Sequence, residues 1–205
     1  MSDGATDLAA YVVDDDAAVR DALVLLLSLR GHRAAAFASA EDFLAAARPD
    51  WAGCAIVDIR MPGMDGLALL KRMREGPVRL PVVIVTGHGD VASAREAFRN
   101  EAVDFLEKPF DADVLVETVE AIFRRERDRI ASRREEGERA RRLDALSARE
   151  REVLDQLLLG LHNRDVAERL GISPRTVEVH KARILDKLGA RNVVDLLRRI
   201  RPDGP

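Results

Sequence analysis

Four stretches of this 205-residue chain set polar or charged side chains directly after runs of β-favouring residues. Val12-Val13 leads into Asp14-Asp15-Asp16, Ile56-Val57 into Asp58, Ile84-Val85 into Thr86-Gly87, and Phe105-Leu106-Glu107 into Lys108-Pro109. Carboxylates gathered at one place repel each other, and a hard cation relieves the repulsion. Mg2+ takes this kind of partial oxygen cage and completes it with water. An ammonium in the same place supplies positive charge where the oxygens of a phosphoryl group would sit. Singly, each residue has a plainer explanation: a solvated acidic loop tip, an N-cap or turn aspartate, a surface lysine. Four such groups at four strand ends of one sheet are hard to explain that way.

Those ends meet only if the strands lie parallel in one sheet, because ligands of open parallel sheets bind beyond the carboxyl ends of the strands. The first 123 residues have the required alternation. Strand patterns run over Ala9 to Val13, Arg33 to Phe37, Cys54 to Val57, Val82 to Val85 and Val103 to Leu106. Amphipathic helix patterns run over Ala17 to Leu29, Ala40 to Ala47, Leu67 to Arg74, Val91 to Asn100 and Asp113 to Phe123. Five βα units predict a parallel sheet with helices on both faces. Ala55-Ile56-Val57 and Val82-Val83-Ile84-Val85 are apolar at every residue, as central parallel strands require.

The net charge of −3 is unevenly spread. Residues 1–123 carry 12 basic and 21 acidic side chains, residues 124–142 carry 9 and 5, and residues 143–205 carry 12 and 10. Any contact with a polyanion is therefore expected of the back half. Hydrophobic residues at 47% and charged residues at 34% argue against disorder. Ala22 to Leu29 and Leu80 to Val85 are too short to span a bilayer, and Met1 to Asp7 has no basic or apolar leader region. The lone Cys54 permits no internal disulfide and no cysteine zinc site, which fits a reducing cytoplasm.

From Arg124 to Arg142 arginine and acid dominate, without a heptad seam for a coiled-coil stalk. This stretch reads as a solvated helical linker between two domains, laced by i,i+4 charge pairs. Fully helical it spans roughly 28 Å, with Gly137 placed to break it. The expected organisation is thus a front domain over 1–123, a linker over 124–142 and a back domain over 143–205. The back domain reads as four helices: Ser147 to Leu159, Asn163 to Leu170, Pro174 to Leu188 and Asn192 to Ile200. Ser147 with Glu150 has capping-box spacing, and Ser173-Pro174 is an N-cap followed by proline at the first helical position. Gly160, Gly171 and Gly189 sit where helices stop.

Asn163 to Leu188 follows helix-turn-helix logic, with Val166, Ala167 and Leu170 on one helix, a turn at Gly171, and Val177, Ile184 and Leu188 facing the core from the next. The second helix of such a pair reads the major groove. Its outer face presents Arg175, Glu178, Val179, Ala182, Arg183 and Asp186. Lys181, Arg183 and Lys187 are expected on phosphates, Glu178 on a cytosine amino group and Val179 on a thymine methyl. His180, beside the Val177–Ile184 stripe, is expected to be structural.

Val12 to Asp16, Val57 to Gly66, Val85 to Asp90 and Asp104 to Phe110 resemble the receiver domain of bacterial two-component response regulators over the whole front domain. Leu146 to Leu154 and Arg164 to Lys181 resemble the LuxR/NarL/FixJ effector domain. The Thr176-Val177-Glu178-Val179-His180 run and the Thr86-Gly87-His88-Gly89-Asp90 loop point to the FixJ branch, and His162 departs from that pattern. The resemblance implies an α/β flavodoxin-like receiver with strand order 2-1-3-4-5 and an all-α four-helix LuxR-type helix-turn-helix domain. It implies that Asp58 accepts a phosphoryl group from a sensor histidine kinase. Asp14, Asp15, Asp58 and the Arg60 backbone carbonyl would hold Mg2+, Lys108 and Thr86 would contact the phosphoryl oxygens, and Phe105 would turn inward. A cis Lys108-Pro109 peptide is implied as well. Arg164, Arg175, Thr176 and Lys181 join the expected contacts to promoter double-stranded DNA. A phosphorylation-dependent homodimer through Val91, Arg95, Arg99 and Asp104 is expected, with RNA polymerase as a further partner, no membrane, and no catalysis beyond the chain's own phosphorylation and dephosphorylation.

Two other readings fit less of the chain. A haloacid-dehalogenase-type phosphatase would use Asp14 and Asp16 as nucleophile and acid, but no cap insertion follows Asp16 and Asp58 would be left without a role. A small-molecule-sensing LuxR-type factor would carry a ligand pocket in front rather than an acidic rim.

Overall fold

The structure, a computed structural model, describes residues 7–87 and 91–200. His88, Gly89 and Asp90 of the loop after Thr86 lie outside the described residues, as do residues 1–6 and 201–205. Two compact units divide the chain, Met1–Ile130 and Ala131–Pro205.

The first unit alternates β1 (Ala9–Val13), α1 (Ala17–Leu29), β2 (Arg33–Phe37), α2 (Ala40–Ala46), β3 (Gly53–Asp58), α3 (Gly66–Glu75), β4 (Val82–Thr86), α4 (Val91–Arg99) and β5 (Asp104–Glu107). Helix α5 (Ala112–Asp144) follows. The five strands are parallel in the order β2-β1-β3-β4-β5. Side chains alternate across each strand, and both faces are covered. Tyr11, Val13, Ala55, Val57, Val82 and Ile84 pack with Phe43, Leu69, Leu70, Met73 and Ala97 from α2, α3 and α4. Ala10, Val12, Cys54, Ile56, Val83 and Val85 pack with Leu23, Leu27, Leu115, Val119, Ile122 and Phe123 from α1 and α5. This double burial explains why the central strands read as unbroken apolar runs.

Helix α5 corrects one expectation. Gly137 does not break it: the helix is continuous for 33 residues, and the boundary between the units falls inside it. The glycine penalty of about 1 kcal/mol is small beside a helix whose ends are both anchored by packing. Nor is the stretch after Phe123 wholly solvated. Glu126 is buried at 6% exposure and accepts from Arg129 at 2.6 Å, and Ile130 packs against the front core.

The second unit adds α6 (Ala148–Leu158), α7 (Asn163–Leu170), α8 (Pro174–Leu188) and α9 (Val193–Ile200). Their core is Leu146, Val153, Leu154, Leu157, Val166, Ala167, Val177, Ile184, Leu188 and Leu196. Ser147 and Glu150 form a reciprocal capping box, and Ser173 caps α8 through the Thr176 N–H at 3.1 Å. Gly171 and Gly189 close α7 and α8 in the left-handed conformation. Arg139, from the last turns of α5, donates to the Arg199 carbonyl at 3.3 Å, and Leu143 packs against the same core.

Candidate functional site

Strands β1 and β3 are hydrogen-bonded neighbours, and β4 pairs with both β3 and β5. Their C-terminal ends therefore share one rim, where Asp14, Asp58, Thr86 and Lys108 lie. Asp14, Asp58 and Thr86 are buried, at 3%, 7% and 0% exposure. The Lys108 ammonium donates to Asp14 Oδ2 at 2.6 Å and to Asp58 Oδ1 at 3.1 Å. The second oxygen of Asp58 accepts the Arg60 N–H at 2.7 Å. Asp14 Oδ1 accepts the Asp16 N–H at 2.9 Å. Lys108-Pro109 is cis.

The electrostatics follow from this burial. Desolvation pushes the Asp58 carboxyl above its usual value, while the Lys108 hydrogen bond and charge pull it the other way. Burial pulls the Lys108 ammonium down, but bonds to Asp14 and Asp58 more than offset it, so its proton is held more tightly than usual. One ammonium faces two buried carboxylates here, and Asp15, which follows Asp14 in the chain, is exposed. Among the described residues no three Asp, Glu, His or Cys side chains close on one point as a metal cage. The donors nevertheless suit a hard cation: they are all oxygen, with more negative charge than Lys108 neutralises.

Asp16 takes another part. Its side chain accepts from Ala18 N–H at 2.8 Å and caps α1. The phosphatase reading needed this carboxylate as an acid. Phe105 is half-buried on β5 against the β1–β3–β4 core, and Asp104 accepts from Thr118 at 3.2 Å. Two holding residues were missed by sequence reasoning: Arg20, which donates to the Asp14 carbonyl at 2.7 Å, and Glu41, which accepts the Met64 N–H at 2.9 Å. Each meets a backbone atom, Arg20 six residues away and Glu41 23 residues away, so no residue type at a given spacing points to it.

On the expected dimer face, Val91, Arg95 and Arg99 are exposed on α4, with Asp104 half-buried. Phe98 and Val103 add exposed apolar surface there, at 52% and 40%.

In the second unit Arg175, Glu178, Val179, Ala182 and Arg183 are exposed on α8, while Thr176 and Lys181 are half-buried. His180 is half-buried with its Nδ1 enclosed and unbonded among the described residues. The start of α7 borders a depression of about 610 Å3 lined by His162, Asn163, Arg164 and Lys181 among apolar side chains. His162 is the N-cap residue and makes no side-chain cap bond. Lys187 differs from expectation: its ammonium donates to Glu150 at 2.7 Å and to the Ala145 carbonyl at 3.0 Å, inside its own unit.

Residues 10–120 match the response regulator receiver domain, and residues 144–200 match the bacterial regulatory proteins of the luxR family. The transcriptional regulatory protein FixJ of Bradyrhizobium diazoefficiens is 44% identical over 188 residues, 92% of this chain and 92% of that protein. FixJ of Rhizobium meliloti is 39% identical over 193 residues, covering 94% of this chain and 95% of that one. The C4-dicarboxylate transport transcriptional regulatory protein DctR of Rhodobacter capsulatus is 42% identical over 194 residues, 92% of this chain and 96% of its own. Among solved structures, the response regulator StyR superposes with a TM-score of 0.87 at 33% identity, covering 96% of this chain and 99% of that one. Full-length FixJ from B. japonicum gives 0.58 at 43% identity over 95% and 96%. No helix among the described residues is long and apolar enough to cross a membrane. The chain thus belongs to the two-component response regulators that join a receiver domain to a LuxR-type DNA-binding domain, a family of transcriptional regulators.

Proposed function

We propose that Asp58 is the residue of this regulator that accepts the phosphoryl group, donated by a sensor histidine kinase in the cytoplasm. The observation that carries the proposal is the Lys108 ammonium shared between buried Asp58 and Asp14 at 3.1 and 2.6 Å. An Asp58 oxygen attacks the phosphorus of a phosphohistidine, the P–N bond breaks, and an acyl phosphate forms while the imidazole leaves. A carboxylate is a weak nucleophile, so the domain works by positioning and charge neutralisation. Asp14, Asp15, Asp58 and the Arg60 carbonyl would hold Mg2+, whose chemistry is to neutralise charge on the phosphoryl oxygens. Lys108 pairs with those oxygens, and the Thr86 hydroxyl donates to them. Beyond this self-directed chemistry the chain turns over no substrate.

The new charge at Asp58 biases a two-state element. Drawing Thr86 toward the phosphoryl group vacates space for the Phe105 ring, and the α4–β5 face then pairs with a second copy. The dimer brings two α8 helices to promoter DNA, where RNA polymerase is recruited. Glu178, Val179 and Ala182 meet bases, and Arg164, Arg175, Thr176, Lys181 and Arg183 hold phosphates. The positive end of α7 beside Arg164 and Lys181 supports the phosphate assignment.

Intact mass after incubation with Mg2+ and a small phosphodonor tests the acceptor: Asp58→Asn should take up no phosphoryl mass, and undiminished labelling overturns the assignment. Val179→Glu or Arg183→Glu should weaken promoter binding by about 1–3 kcal/mol with mass uptake intact.

A further inference from the structure

We infer that Glu41 is a positioning residue for the cation seat beside Asp58: from the first turn of α2, its carboxylate fixes the β3–α3 loop that carries Arg60. The inference rests on the proposed role of the Asp58 pocket. The loop is tied at both ends by its own neighbours. The Arg60 N–H donates to Asp58 Oδ2 at 2.7 Å, and the Gly66 N–H donates to the Ile59 carbonyl at 2.9 Å. Met61 buries its side chain beneath. The outer part of the loop, Pro62 and Gly63, is exposed, and there the Met64 N–H donates across to Glu41 Oε1 at 2.9 Å.

The fit between the two elements is close. Gly63 has φ +79°, a conformation that favours glycine, and a Cβ placed there would lie 2.8 Å from the same Glu41 oxygen. At the other end of the loop a Cβ on Gly66 would lie 2.2 Å from the Asp58 carbonyl oxygen. Glycine at both positions lets the loop fold tightly between Asp58 and Glu41. A backbone carbonyl is a useful cation ligand only if its orientation is held, and orienting bonds of this kind set metal affinity.

The plainer explanation is that a first-turn glutamate favours the α2 dipole. The two explanations need different properties of the side chain. The dipole needs the charge, whereas positioning needs only an oxygen that accepts from Met64. Glu41→Gln keeps the oxygen and removes the charge, and Glu41→Ala removes both.

The test uses the full-length chain. Mg2+ is titrated while backbone amide resonances are followed, Met64 amide exchange is measured without Mg2+, and the thermal midpoint is recorded. Glu41→Ala should speed Met64 exchange and raise the half-saturating Mg2+ concentration about tenfold, the low end for loss of a ligand-orienting bond. Glu41→Gln should stay within about twofold of wild type on both measures, even if α2 loses its dipole contribution. An unchanged Mg2+ half-saturation in Glu41→Ala, whatever its phosphorylation rate, overturns the inference, as does a Glu41→Gln chain as impaired as Glu41→Ala. A wild-type chain that binds no Mg2+ overturns the reading of the Asp58 pocket itself, which separates the two failures.

Discussion

Lys187 Nζ donates to Glu150 Oε2 at 2.7 Å, joining residues 37 positions apart in the chain. The same oxygen accepts the Ser147 N–H at 2.8 Å. The last turn of α8 is thereby locked to the capping box of α6, and one carboxylate serves both a helix start and an ion pair. Glu150 is only 3% exposed, so losing its partner would strand a buried charge. The Lys187 hydrogen bond first, and then the Ser147 N–H, lower the Glu150 carboxyl from 4.5 to about 2.

An acid response of the second unit follows. A carboxyl depressed by folding contributes stability that is present above its ordinary value and lost as pH falls through its folded value. The fragment 131–205 should therefore lose thermal midpoint steeply as pH drops from about 4.5 toward about 2. Glu150→Gln should be less stable at neutral pH and show a flatter decline in that window. Calorimetry at a series of pH values checks it, and parallel pH profiles for the two chains contradict it.

The receiver pocket should behave in the opposite sense. Burial raises the Asp58 carboxyl, so its ionised form costs stability at neutral pH, and the cost vanishes as pH falls below the ordinary value of 3.8. Asp58→Asn should raise the thermal midpoint of the receiver by a few degrees in Mg2+-free buffer. Adding Mg2+ should raise the wild-type midpoint more than that of the variant and narrow the gap. A variant less stable than wild type without Mg2+ would show that the Lys108 pairing outweighs desolvation.

Dimerisation is expected through α4 and β5, with Phe98 and Val103 as the apolar centre and Arg95 and Arg99 beside it. Sedimentation with beryllofluoride, a phosphoryl mimic, should show a dimer for wild type. Arg95→Glu and Phe98→Asp should remain monomers while still taking up a phosphoryl group. A wild type that stays monomeric at tens of micromolar when fully modified, yet activates transcription, rules this mechanism out.

The DNA-binding module should be more stable when it starts at Ala131 than at Leu143, because only the longer fragment keeps the Arg139 bond to the Arg199 carbonyl. Both should bind DNA without a phosphodonor, with log K falling about 0.9 per log salt for each phosphate neutralised. Gly137→Ala should stabilise the longer fragment by about 0.5–1 kcal/mol, since an added Cβ meets nothing within 4 Å. Equal denaturation midpoints for the two starting points would return residues 131–142 to the role of a linker.

The elements are legible in the sequence because their signals are local. Alternation of two periods marks the βα units, the all-apolar runs of β3 and β4 mark central parallel strands, and Ser147, Ser173, Gly171 and Gly189 mark helix ends through their own backbone bonds. The sequence also put Asp14, Asp58, Thr86 and Lys108 at strand ends, from which a parallel sheet makes one rim. Which partner each polar group meets depends on the packed fold. Lys187 looks like a free cation on an outer helix face until α6 brings Glu150 against it. Glu126 looks solvated in a run of charges until the packing of α5 buries it. Arg20 and Glu41 act on backbone atoms, which carry no residue-specific signal at all. Local propensity and periodicity depend on neighbours a few residues away, whereas a buried ion pair or a loop tie depends on contacts many residues apart that only the packed fold creates.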